Sequence, residues 1–307
     1  MISSIFERTN PINFIILGVF ISFFLIGGYF FYLDAPFNQG VIFNLIESII
    51  VVIISLFLVD FINRKNSLTK SNSYTIFLFV LLFCLFPKIF NQLNLLLANL
   101  FILLSFRRLV SIRSNRDIEI KIFDASLWVF VATYFYSWSL LFIIMVYAGI
   151  FLYKKNDYRN LLIPLTALFT VLIITFTYYY LTEDLDKFFS LLQFSPKFVI
   201  EKFENIKYTV PFVFVCVMGG WCSLFFFVKK QSKSFVTRVP GILVMLMLII
   251  GIIIAILSET ANTSELIFWI FPLSVIIARY VENLKRVWIK ELILWSFILL
   301  PFIVLFL

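Results

Sequence analysis

The sequence contains no histidine. That absence removes Ser-His and Cys-His nucleophilic machinery, His-ligated zinc, histidine-ligated haem and four-histidine non-haem iron centres. Cysteine is scarce as well. Cys84, Cys216 and Cys222 each fall inside an apolar segment, and the last two lie six apart on one predicted helix, pointing to different faces. Neither a disulfide framework nor a metal cluster follows. No Walker A motif and no dinucleotide fingerprint occurs, which argues against a nucleotide-driven engine within this chain. Any chemistry has to use carboxylates, lysine, arginine, tyrosine or a bound ion.

Charge is also sparse. Only 14% of the 307 residues are charged against 62% hydrophobic, with a mean hydropathy of +1.04, far outside the range of soluble domains. The chain reads as one integral membrane domain, residues 1–307. Apolar runs stand at 12–32, 41–62, 74–87, 93–106, 122–136, 139–153, 160–181, 210–228, 239–257, 264–281 and 289–307. The expected fold is therefore all-α, a polytopic transmembrane helical bundle of about eleven membrane segments. The first run is longer than a signal h-region and lacks a small-x-small cleavage site, so it reads as a retained anchor. The 41 Phe and 13 Tyr accompany abundant Ile, Asn and Lys, the usage of an AT-rich genome in which Phe serves as a generic lipid-facing residue.

The net charge of +8 would suit nucleic acid, but the basic residues lie between the apolar segments, where they act as topology signals. With the N-terminus cytoplasmic, strict alternation leaves only Lys88, Lys187, Lys197, Lys202 and Lys207 outside. The C-terminus is then extracytoplasmic, and the expected location is the bacterial inner membrane, multi-pass, with membrane lipid as partner and no nucleic acid. Four runs (74–87, 93–106, 122–136, 139–153) are about 14 or 15 residues, roughly 21 Å of helix, and read as short or re-entrant. The long outer segment, 182–210, mixes charges with Phe188, Phe189, Phe194, Phe198 and Phe203 and is divided by Pro196. It reads as an extracytoplasmic loop of two short interfacial helices.

Few acids lie near the outer face. Asp34, directly after the first run, could serve as a general base or ligate a divalent ion; the alternative is a loop residue that ends the helix before Ala35 and Pro36. Glu47 sits about two turns inside the outer end of the second run, one turn after Asn44. It reads either as a functional carboxylate or as a snorkelling structural one. Glu183, Asp184 and Asp186 could hold a divalent cation, or complement a helix N-terminus with Thr182 as its cap. Asp60 with Arg64, Lys121 with Asp124, and Arg279 with Glu282 have the spacing of helix-surface ion pairs. Glu259 and Glu265 flank a short outer loop and carry little information.

Amides interrupt KIFNQLNLLLANLFILLSFRRL, residues 88–109. On a continuous helix Asn91, Gln92, Asn94 and Asn99 share an arc of about 160°. Lipid cannot satisfy amides, so this face turns either to packed helices or to an outer cavity opening toward Asp34 and Glu47.

The chain as a whole, from its FERTNPIN start, resembles an uncharacterised family of roughly 300-residue polytopic proteins from Bacteroidota. Members sometimes carry the name of a carotene-cleaving oxygenase, which the missing histidines contradict. FCLFP, NQLNLLLANLFILLSFRR and the hairpin FDASLWVFVATYFYSWSLLFIIMVYAGIFLYKK are similar to the core of GT-C membrane glycosyltransferases. That resemblance implies transfer or handling of a polyprenyl-phosphate-linked sugar at the outer face. Asp34 would be the base, Glu47 or the 183–186 acids would assist, and Lys88 or Lys187 would contact the phosphate. Where the superfamily often has a second acid, this sequence has Asn91, Gln92 and Asn94. Two other readings stay open: a transporter or flippase-like carrier using Glu47 and the amide face, and a non-catalytic membrane scaffold subunit.

Overall fold

The computed structural model describes residues 2–32, 38–191, 206–228, 235–258 and 263–306. Among them every regular element is helical: α1 Ile2–Phe6, α2 Pro11–Gly27, α3 Gln39–Asn66, α4 Tyr74–Cys84, α5 Leu93–Ser111, α6 Ile118–Phe135, α7 Ile143–Leu152, α8 Tyr158–Leu181, α9 Leu185–Leu191, α10 Ile206–Val228, α11 Phe235–Leu257, α12 Ile267–Asn283 and α13 Val287–Phe306. Each apolar run falls on a helix, and eight helices among the described residues are long and apolar enough to cross a membrane. The protein is multi-pass.

Helix lengths depart from the apolar runs where charge enters. The run 93–106 belongs to a span of 22 residues, Leu93–Ser114, and the run 122–136 to the 18-residue α6. Arginine is a good helix former, so Arg107 and Arg108 prolong α5 although they end its hydrophobicity. Two apolar helices stay short, Tyr74–Cys84 and Ser137–Leu152.

The chain forms two compact units, one of 1–96, 199–232 and 260–307, the other of 97–198 and 233–259. In the first, α4 is the axis. All eleven of its residues are buried, against α2, α3, α12 and α13. Helix α10 covers α12, and Gly219 admits Leu273, whose Cδ2 would lie 2.9 Å from an added Cβ. Lipid tails are as apolar as these side chains, so close packing rather than hydrophobicity holds such helices together.

One end of this unit gathers polar groups. Glu291 on α13 caps α1, accepting from the N–H groups of Ile2 (3.2 Å) and Ser3 (2.9 Å) and the Ser3 hydroxyl (2.6 Å). The Tyr74 hydroxyl donates to Ser3 O, and Asn13 Nδ2 reaches Ile5 O, Arg8 O and Ser73 Oγ. The expected Arg279–Glu282 ion pair is not made. Arg279 Nε donates to Leu68 O at 2.6 Å, while Glu282 accepts from the Lys70 N–H and Asn72 Nδ2. The 67–73 connection leaves backbone groups that need partners more than the two charges need each other.

The second unit packs α6 on α8 and α7 on α11. Asp60 pairs with Arg64 as expected (2.8 Å, in the first unit), but Asp124 pairs with Arg108 at 3.1 Å instead of Lys121. Lys121 Nζ instead closes the connection before α6, donating to Ser111 O and Ser114 Oγ. Phe101 stacks on both Trp128 and Phe135, each at 5.5 Å.

Neighbouring glycines give opposite tests of packing. A Cβ on Gly28 would lie 2.5 Å from the Phe90 ring, whereas one on Gly27 meets nothing within 4 Å. Gly28→Ala is expected to destabilise by about 1–3 kcal/mol and Gly27→Ala by no more than about 0.5 kcal/mol, read as thermal unfolding midpoints in one detergent. Equal midpoints would show that Phe90 moves aside freely.

Candidate functional site

At the other end of the first unit, three helices break into tighter or wider turns. Helix α2 runs into a π-helical turn, Gly28–Tyr32; α4 is followed by a 3-10 turn, Pro87–Asn91; and α12 is preceded by another, Thr263–Leu266. Pro87 fixes the start of the middle turn, where its missing N–H costs nothing. The first and third turns both pack against this middle one. Its anchor is Phe90. The ring lies over Gly28 and stacks on Phe83 at 5.6 Å, and the carbonyl accepts from Tyr29 OH (2.9 Å) and Ser48 Oγ (3.2 Å).

The turns carry complementary charges. Glu265 is 2% exposed, a carboxylate enclosed at the start of the most deeply buried candidate span. Lys88, on the turn packed against it, is half-buried with its ammonium 4.0 Å from the Tyr208 ring centroid. One turn further along α10, Phe212 meets Trp269 at 5.9 Å, and Trp269 lies one helical turn after Glu265. Among the described residues, three buried donors close to Glu265 in the chain have no hydrogen-bond partner: Thr263 Oγ1, Ser264 Oγ and Trp269 Nε1. Each such group costs about 1–3 kcal/mol, more than a helix end needs to lose without a reason. A cation, a carboxylate, two hydroxyls and an indole N–H between aromatic faces can bind a phosphate beside a polyhydroxylated group.

Of the residues expected from sequence, Lys88 lies on the Pro87–Asn91 turn. Asp34 lies outside the described residues. Glu47 is exposed on α3, next to Ser48, which reaches inward. Lys187 lies on α9. The amides do not form one stripe, because the Pro87–Asn91 turn and the kinked Gln92 (φ −115°, ψ 68°) precede the helix. Asn91 and Asn94 are exposed, Gln92 is half-buried, and Asn99 is buried with Oδ1 unpartnered among the described residues. Thr182 does not cap α9; its hydroxyl donates back to Tyr178 O and closes α8. Glu183 takes a left-handed φ of 56°, and the Asp184 N–H returns to Tyr179 O, so this acidic segment is a helix stop. Among the described residues no three acidic or cysteine side chains converge as a metal site. The first half of the 182–210 loop is a seven-residue helix, and 192–205 lies outside the described residues.

Glu265, Thr263, Ser264 and Trp269 are the residues that sequence reasoning passed over. Thr-Ser-Glu before an apolar run reads as ordinary helix-start chemistry, and only burial distinguishes it. Thr263→Val removes a lone hydroxyl at nearly constant shape, and is expected to raise the unliganded protein's stability by about 1 kcal/mol in thermal unfolding. A lowered midpoint would mean that the hydroxyl is satisfied within the fold.

No curated protein and no solved structure matches this chain. One family model does, over residues 7–307 and so nearly the whole chain, and the protein belongs to that family, a family of unknown function designated DUF6427.

Proposed function

We propose that this multi-pass protein handles a polyprenyl-phosphate-linked sugar at the outer face of the bacterial inner membrane, as GT-C glycosyltransferases do, with Lys88 and Glu265 at the centre of its site. The observation that carries the reading is the enclosed carboxylate beside a half-buried lysine, with three unpartnered donors between aromatic faces.

The roles follow from charge. The Lys88 ammonium attracts the lipid-borne phosphate, and Tyr208, Phe212 and Trp269 offer faces to the sugar ring or the first isoprene units. Thr263, Ser264 and Trp269 donate to sugar oxygens. In transfer, the bond between the anomeric carbon and the phosphate oxygen breaks, an acceptor oxygen bonds to that carbon, and the acceptor's proton passes to Glu265. The lipid phosphate leaves against Lys88. Glu265 thus takes the part that sequence gave to Asp34 and Glu47.

Sidedness supports this placement. Arg8, Arg64, Lys65, Lys70, Arg279, Lys285, Arg286 and Lys290 lie at or near the end of the unit where Glu282 and Glu291 bind backbone. The positive-inside rule puts that end in the cytoplasm and the Lys88–Glu265 end outside.

The test is binding of polyprenyl phosphate to the purified protein in lipid nanodiscs, read by native mass spectrometry against neutral polyprenol. Lys88→Met is expected to weaken phosphate-dependent binding about tenfold, a loss of ~1.4 kcal/mol. Glu265→Gln should retain binding but abolish complementation of a strain that depends on this gene. Equal binding of polyprenol and polyprenyl phosphate, or full complementation by Glu265→Gln, would overturn the reading.

A further inference from the structure

The outward faces of the apolar helices are not alike. Between Leu162 and Leu181, the exposed positions of α8 are apolar residues, tyrosines and threonines. Those of α10 that are large are Val210, Val213, Val217, Trp221 and Leu224, again without charge. Such faces suit hydrocarbon. Helix α3 differs: its exposed ridge of Phe43, Ile46, Ile50, Ile54, Phe57 and Phe61 is flanked by exposed Asn44 and Glu47, neither of which has a partner among the described residues.

Depth makes this pair costly. Glu47 follows Gln39, the first residue of this 28-residue span, by eight positions, about 12 Å of helix, and hydrocarbon offers neither a counter-charge nor a donor. The ridge and the pair therefore need a cover that donates hydrogen bonds at that depth.

The face supplies its own complement. Asn44 carries two N–H donors and Glu47 a carboxylate acceptor one turn away, so two copies related by a two-fold axis along the membrane normal can each offer Asn44 to the other's Glu47. Beside the ridge, α2 and α3 enclose an open apolar groove of about 500 Å³ lined by Phe14, Gly18, Ser22, Leu56 and Phe57. An added Cβ on Gly18 would meet nothing within 4 Å, so packing within the chain does not require a glycine there. We propose that α3 is the interface of a parallel homodimer, held by reciprocal Asn44–Glu47 hydrogen bonds, with the ridge of each copy seated against the α2–α3 groove of the other. This proposal is independent of the Lys88–Glu265 site.

Single-molecule photobleaching of the labelled protein in liposomes, over a range of protein-to-lipid ratios, tests it. The wild type is expected to dimerise, and Glu47→Leu and Asn44→Leu should each raise the dissociation constant about tenfold, with the double variant no worse than either single one. As a check that does not remove the pair, Phe43→Cys in a Cys216→Ser background should form an intermolecular disulfide in native membranes, and Ile173→Cys on α8 should not. Monomers at every ratio would mean that lipid or a different protein covers α3, and would overturn the proposal. Dimers indifferent to both substitutions would do the same.

Discussion

An eleven-residue helix, about 16 Å long, cannot cross a membrane, and α4 is nevertheless enclosed on every side by its own chain. Much of the first unit follows from that constraint. The segment has no polar face to orient it, so its position is set by close packing against four longer helices. Its shortness leaves room at both ends. At one, the 67–73 connection descends to meet α1 and α12; at the other, Pro87–Asn91 turns the chain over Phe90. The two polar regions of the unit exist because its central helix is too short to keep them at the membrane surface.

The same economy governs the charges. Glu282 and Glu291 each sit within reach of basic residues in sequence, yet both bind N–H groups of the backbone and neighbouring side chains. An exposed ion pair contributes about 0–1 kcal/mol, whereas an unsatisfied buried backbone group costs about 1–3 kcal/mol. Where a membrane protein must bend its chain among helix ends, carboxylates are better used as backbone acceptors. The basic side chains left over give that end its charge.

The existence of the helices was legible in the sequence because each apolar run is long enough to form a helix, whether or not it is long enough to cross a membrane, and the Asp60–Arg64 pair was legible because it is local. Helix ends were less so, since Arg107 and Arg108 interrupt hydropathy without interrupting hydrogen bonding. The burial of Glu265 was not legible at all. It depends on α12 meeting α4 and the Pro87–Asn91 turn, a contact between segments far apart in sequence, while its neighbours Thr263 and Ser264 imitate a common helix start. The amides at 91–99 failed for a local reason: a shared face requires one continuous helix, and Pro87 starts a 3-10 turn instead.

The bond from Glu291 to Ser3 closes a loop of 288 residues, and α12, the principal partner of α4, lies almost as far along the chain. During synthesis, α2, α3 and α4 therefore enter the bilayer long before the helices that enclose them have been made. Until α12 arrives, α4 must lie against lipid or an insertase, too short to span alone. The first unit is completed only when its last helices are inserted, so a chain stalled before residue 267 lacks the helix that makes the largest share of the enclosure of α4.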